Sequence, residues 1–286
     1  MKLLRTDTVM VTGASGGLGF HIVSALARHG VRLVLVAFPG NELAAICKEA
    51  EQQGCESIAI YSDLRDRRER HKLVETVVQR FGRIDVLVNN AGVEFTSFYH
   101  ELPEENILDV LSVNLEAPML LTRLLLPPML AQRRGHVVNI SSLAGKSGPA
   151  FQESYAASKA GLIAFTAALR ATYQNSGFSA SVIVPGFVEA GIYTVLKARA
   201  GHAAPKLLGS VPPEAVARAV VSAIEHDRLE IIVNRLPVRP LLALAALFPE
   251  LGQWLTDKIG TNDFFRQVVE AEQKQPGGPP DGAAKS

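Results

Sequence analysis

Three side chains near the middle of the chain have the types and order needed for proton transfer: Ser142, Tyr155 and Lys159. Tyr155-Ala-Ala-Ser-Lys159 opens an apolar-periodic run through Leu162, Phe165 and Leu169, which predicts a helix. Residues four apart share one helix face, so Tyr155 and Lys159 project into the same space. An ammonium beside a phenol favours the phenolate and draws the tyrosine pKa down from about 10, towards an acid or base usable near neutral pH. Ser142 follows a strand-like run, His136–Ile140, from which its hydroxyl could hold a substrate oxygen. A snorkelling surface pair has the same Tyr–Lys spacing, so the surrounding elements decide its meaning.

The first of those elements is a glycine-rich turn, Thr12-Gly-Ala-Ser-Gly-Gly-Leu-Gly19, between the first predicted strand and the first predicted helix. A turn there aims backbone N–H groups and a helix N-terminus at a bound anion, the way an α/β sheet holds a pyrophosphate. Gly13 permits the tight turn, Gly17 close approach of the phosphates, and Gly19 close packing of helix on strand. No GxxxxGK[ST] is present, which argues against a nucleoside-triphosphatase.

Short Val/Ile-rich runs at Thr8–Thr12, Arg32–Ala37, Ser57–Tyr61, Val86–Asn89, His136–Ile140, Ala180–Val184 and Glu230–Val233 read as strands buried on both faces. Between them lie helical patterns at Leu18–His29, Asn41–Gln53, Arg67–Arg80, Glu104–Arg133 (read as two helices), Ser154–Asn175 and Pro213–His226. This alternation predicts a doubly wound, Rossmann-type α/β domain over 1–234, with a parallel sheet of about seven strands and helices on both faces. An apolar helical extension follows at 235–275, and the Pro/Gly-rich 276–286 reads as disordered.

A net charge of +1 without a basic stripe gives no case for nucleic acid. Cys47 and Cys55 read as free thiols of a reducing compartment. His21, His100, His136 and His202 lack ligand spacing, so no metal site is expected and structural roles are assigned. The opening MKLLRTDTVMVTG is too short an apolar stretch for a secretory signal, and no run reaches the ~18 uncharged apolar residues of a membrane span. The expected location is cytoplasmic.

TGxxxGxG (Thr12, Gly13, Gly17, Gly19), Asn89-Asn-Ala-Gly92, Ser142 and Tyr155-xxx-Lys159, in that order, resemble the short-chain dehydrogenase/reductase superfamily in its smaller, single-domain branch. Asp63, Asn114 and Pro185-Gly186 are further matches, and the resemblance spans roughly residues 6 to 233. It implies an NAD(P)(H)-dependent oxidoreductase that moves hydride between the nicotinamide and a carbonyl or secondary alcohol. Tyr155 would be the general acid/base, with Lys159 lowering its pKa and holding the nicotinamide ribose. Ser142, rather than Ser141, would polarise the substrate oxygen, and Asn114 would hold a water linking Lys159 to solvent. Asp63 would accept from the adenine amino group with Leu64 beside it, while Asn90, Ala91 and Gly92 line the cofactor. The Pro185-Gly186 turn and the backbone of Val188 would face the nicotinamide, and Leu18 and Ser15 belong to the phosphate turn.

The chain departs from the family pattern in three places. At the end of the second strand, where an acid would select the ribose hydroxyl and an arginine its phosphate, stand Ala37 and Phe38. With no acid there and Ser15 nearby, the balance leans to NADP(H). A threonine expected four residues after Gly186 is Ala190, with Thr194 a turn later. The third departure is the extension, whose all-round apolar Leu241–Phe248 run must be covered, as a lid, a subunit contact or a membrane-surface contact through 236–259. The lid or subunit contact is preferred to the membrane. Phe95, Leu143, Phe151, Phe187 and Tyr193 suggest an apolar pocket for a steroid-, lipid- or polyketide-like substrate. Family resemblance further implies a homodimer or homotetramer. The alternatives are a dehydratase or epimerase, which resembles longer chains, and a dinucleotide-binding regulator or scaffold without turnover.

Overall fold

The computed structural model describes residues 1–274 and the backbone of 284–285. Seven parallel strands form one sheet: β1 (Thr8–Thr12), β2 (Arg32–Ala37), β3 (Ser57–Tyr61), β4 (Val86–Asn89), β6 (Gly135–Ile140), β7 (Phe178–Pro185) and β8 (Glu230–Val233). The order is β3-β2-β1-β4-β6-β7-β8, so the winding reverses between β1 and β4. A crevice forms outside the carboxyl ends of the strands at such a reversal, which is where open α/β sheets bind ligands. Short β5 (Val93–Glu94) pairs antiparallel with β9 (Ala284–Lys285). The rest of the segment expected to be disordered, 276–286, lies outside the described residues.

The central strands β1, β4 and β6 are buried throughout, as their continuous apolar runs require. The two edge strands depart from the expectation of burial on both faces: β8 is only half-buried, and Ala59 and Tyr61 of β3 face solvent. Each has a neighbour on one side only. One core packs Ile22, Leu26 and Val220 against one face of the sheet, and another packs Leu73, Leu121 and Met129 against the opposite face.

The long helical region differs from the expected pair of helices. Glu104–Leu111 runs through a π-helical turn, Ser112–Glu116, directly into Ala117–Ala131. Pro127 and Pro128 lie inside that last helix near its end, where each forfeits one N–H bond without stopping the chain. By length and mean hydropathy Glu104–Ala131 could cross a membrane, although charged residues such as Glu116 and Arg123 interrupt its apolar run. In the fold its Leu121, Leu125 and Met129 are buried in the core, which accounts for its apolar composition.

The extension is helical: Arg239–Leu247, Pro249–Ile259 and Thr261–Gln273. The last of these is the best anchored. Its Phe264, Phe265 and Val268 are buried with Tyr193 and Leu196 of a further helix, Ile192–Ala200, which the apolar periodicity does not reveal. Phe264 is 1 % exposed and its ring lies 5.5 Å from that of Phe187. Burying a side chain of this size contributes about 1.5–3 kcal/mol, enough to hold a terminal helix in place.

Candidate active site

The glycine turn is built to leave no room for side chains. Gly13 has φ +64°, and a Cβ on it would fall 2.7 Å from the Ala91 Cα. A Cβ on Gly19 would lie 2.1 Å from the Gly13 carbonyl oxygen, which closes that position to every other residue. The neighbour that needs Gly17 is the chain itself, because a Cβ there would sit 2.8 Å from the Gly191 N. The helix Gly17–Ala27 starts without a side-chain cap and without an acid in its first turn, so nothing of its own competes for an anion there.

This turn is tied to the loop after β4 by one hydroxyl and one amide. Thr12 Oγ1 accepts from Asn90 N (3.0 Å) and Ala91 N (3.1 Å), while Asn90 Nδ2 donates to the Thr12 and Gly13 carbonyls. Asn89 is turned inward, where its amide donates to Asn139 Oδ1 at 2.8 Å. Two short motifs far apart in sequence therefore form one polar backbone cradle, closed to side chains at Gly13 and Gly19, whose chemistry fits a dinucleotide. Further along the strand ends, Asp63 is committed to Arg65, whose Nε (3.0 Å) and Nη2 (2.8 Å) both donate to its carboxylate and hold its pKa below the ordinary value. Leu64 beside it is buried, and Asp66 caps the next helix. The Arg65 guanidinium also stands 5.4 Å over the Phe38 ring. Sequence reasoning found no cation at the end of β2, because this one comes from the next βα loop.

Ser142, Tyr155 and Lys159 line one cavity of about 200 Å³, together with Leu18, Asn90, Pro185, Gly186 and Val188. Ser142 shares this cavity wall with Tyr155, and its oxygen accepts from Ala144 N at 3.1 Å. Ser141 points elsewhere, and its buried hydroxyl donates to the Lys159 carbonyl at 2.8 Å. The Lys159 ammonium donates to the Ile140 carbonyl (3.0 Å) and lies 5.5 Å from the centre of the Tyr155 ring.

The proton energetics differ from the sequence expectation. Burial pushes the Tyr155 phenol above its ordinary value; the neighbouring Ser142 hydroxyl opposes this, and the nearby Glu94 carboxylate adds to it. Burial also lowers the Lys159 ammonium to about 8. Both groups lose hydration in the same apolar pocket, and desolvation disfavours each charged form. A lysine so tuned still carries most of its charge at neutral pH and releases its proton readily.

Asn114 is fully buried in the π-helical turn, a distortion that recurs at functional positions. Its amide is used at both ends, accepting from Val93 N and donating to the Val93 carbonyl at 2.9 Å each, with Ser158 Oγ at 3.2 Å. It thereby fixes the strand that continues from Gly92, and its link towards Lys159 passes through Ser158. Near the predicted threonine position, Thr194 is exposed and bonded to the Gly191 carbonyl, away from the cavity.

Of the residues expected to form the substrate pocket, Leu143, Phe187 and Tyr193 line the cavity. Phe95 and Phe151 do not: Phe151 stacks edge-on against Phe98, 5.4 Å away. The far wall is the extension, through Leu241, Leu242, Ala245, Leu255 and Ile259. Gln152 and Asn234 also line the cavity, and sequence reasoning misses them because neither lies in a motif. Among the described residues no group of His, Cys, Asp and Glu could hold a metal ion. His136 is a core residue bonded to Ser181 Oγ at 2.8 Å.

Comparison with known proteins matches residues 7–200 to the family model described as short chain dehydrogenase. The ketoacyl reductase HetN of a Nostoc species is 38 % identical over 279 residues, covering 96 % of each chain. The 3-oxoacyl-[acyl-carrier-protein] reductase FabG of Thermotoga maritima is 33 % identical, over 76 % of this chain and 90 % of its own. A metagenomic short-chain oxidoreductase crystallised in complex with NADP superposes with a TM-score of 0.68 at 31 % identity, covering 80 % of this chain and 97 % of its own.

Proposed function

Since the chain belongs to the short-chain dehydrogenase family and is an NAD(P)-dependent oxidoreductase, we propose that it is a ketoreductase for an elongated apolar ketoacyl-type carbonyl. The observation that carries this reading is the convergence of Ser142, Tyr155 and Lys159 on one apolar cavity whose far wall is the C-terminal extension. The glycine turn and the Asn90–Ala91 loop would hold the dinucleotide, and its nicotinamide would supply hydride for the carbonyl carbon. Tyr155 gives its phenolic proton to the developing alkoxide oxygen, and Ser142 donates a hydrogen bond to that same oxygen. Lys159 stabilises the phenolate left behind and restores the proton, for which its lowered pKa suits it. Asn114, through Val93 and Ser158, holds the elements between which that proton leaves for solvent.

The apolar wall supports a substrate with a hydrocarbon portion, and the ketoacyl class is supported by the names of the HetN and FabG relatives. HetN aligns along nearly this whole chain, so its similarity includes the extension. For the cofactor the reading is NADP(H): no acid stands at Ala37, Arg65 lies beside Phe38, and the metagenomic relative was crystallised with NADP. Fluorescence titration with NADPH and NADH, alongside a panel of 3-oxoacyl thioesters and small ketones, tests both parts. Tight NADPH binding with turnover of the long-chain substrates is expected. Binding of neither nucleotide would refute the reading.

A further inference from the structure

Beside the catalytic helix lies a polar cluster that hydride and proton transfer do not use: Glu94, Thr96 and Gln152, all three buried. Glu94 Oε1 accepts from Gln152 Nε2 at 2.6 Å and from the Thr96 hydroxyl, and Gln152 Nε2 reaches Thr96 Oγ1 at 2.8 Å. The other carboxyl oxygen, Oε2, has no hydrogen-bond partner among the described residues. A fully buried carboxyl with one bare oxygen is costly and calls for an explanation.

Gln152 shows where the cluster acts. It immediately precedes the helix Glu153–Thr172, its carbonyl accepts the Ala156 N–H at 2.7 Å, and its side chain lines the cavity. The residue before it, Phe151, is held at φ +65°, a left-handed conformation that a bulky aromatic adopts only when its surroundings impose it. The Phe98 ring restrains Phe151 on one side, and the Glu94–Gln152 bond fixes the chain on the other. We propose that Glu94, acting through Gln152, is a positioning residue for Tyr155: it fixes the turn from which the catalytic helix starts and sets a negative charge near the phenol. This rests on the reading of Tyr155 as the acid/base.

Among the described residues, the charged and titratable groups facing Glu94 come from three elements. Tyr155 lies on the catalytic helix, and Arg199 of the Ile192–Ala200 helix and Glu272 of the extension form an ion pair of 2.7 Å. Burial raises the Glu94 carboxyl to about 7 against its Thr96 and Gln152 hydrogen bonds, so the cluster changes charge near neutral pH. A charged Glu94 in turn raises the Tyr155 phenol. The acid/base group is thereby linked to the Ile192–Ala200 helix and the extension, which wall the cavity.

Two variants of the full chain separate geometry from charge. Glu94→Gln keeps an oxygen for Gln152 and Thr96 but carries no charge. It is expected to move the Tyr155-dependent alkaline limb of the reduction profile to lower pH by about half a unit or more. Glu94→Ala removes the clamp. It is expected to lower kcat about 10-fold or more with the KM for NADPH within about twofold, and to speed amide hydrogen exchange over residues 149–158 by about 10-fold. Exchange in the Gly17–Ala27 helix should not change. If Glu94→Ala does not fold, Gln152→Met replaces it in the exchange measurement with the same expectation. A merely structural role would lower Tm in both variants, leave the alkaline limb in place and speed exchange throughout the chain; that result would overturn the proposal. A parent enzyme that reduces no carbonyl would refute the acid/base reading instead, and the exchange data would still decide whether the clamp exists.

Discussion

Replacing Glu94 by glutamine has a calculable effect on stability. The carboxyl titrates at about 7 in the folded protein against an ordinary 4.5, because burial penalises its charged form. Between those values the folded chain binds more protons than the unfolded chain, so stability is full below about 4.5, falls as pH rises to 7, and is flat above. A separation of roughly 2.5 pH units, at 1.36 kcal/mol each, makes the loss about 3 kcal/mol. Glutamine cannot ionise and escapes it. Urea melts of parent and Glu94→Gln at pH 4.5, 6 and 8 should therefore diverge with pH, the variant gaining about 3 kcal/mol relative to the parent across that range. Taking the difference cancels every other titration the two proteins share. Parallel stability curves would show that the carboxylate is hydrated or paired at neutral pH, and the account of its burial would be wrong.

Three other substitutions test separate parts of the structure. Gly19→Ala puts a methyl 2.1 Å from the Gly13 carbonyl, so NADPH affinity should fall at least about 10-fold while the circular dichroism of the sheet persists; undiminished affinity would remove the turn from the cofactor site. Burial depresses His136 to about 3, so it must take up a proton on unfolding and the parent should lose stability as pH falls from 6.5 towards 3. His136→Gln should flatten that acid slope, by up to about 5 kcal/mol over the window, and an identical slope would contradict the assignment. Leu255→Trp fills the far wall of the cavity and should raise KM for long 3-oxoacyl substrates about 10-fold while sparing a small ketone; an equal effect on both would show that this wall does not contact the chain of the substrate.

Where sequence period and chain position agree, the fold is legible to the residue: β2 at Arg32–Ala37 and the helix Pro213–His226 fall where the pattern puts them. The π-helical turn around Asn114 is not legible, because Ser112–Glu116 is too short a stretch to show a period of its own. In the candidate site, the glycines and the Ser142–Tyr155–Lys159 set can be read because their chemistry depends on local spacing. Arg65 over Phe38 and Glu94 against Gln152 cannot, since each pair joins different segments of the chain. Spacing alone also gives the wrong direction for the Tyr155 shift. Helical geometry places a lysine near a phenol but does not say how much water both have lost, and in this pocket desolvation is the largest influence on each group.

The central claim is that Tyr155 delivers the proton to the carbonyl oxygen. The most direct test is steady-state reduction of a 3-oxoacyl thioester by Tyr155→Phe, with NADPH binding measured on the same preparation. The account predicts that kcat falls about 100-fold or more while the Kd for NADPH stays within about threefold, because the phenyl ring preserves the cavity and removes only the transferable proton. A phenylalanine variant that turns over at the parent rate would contradict it.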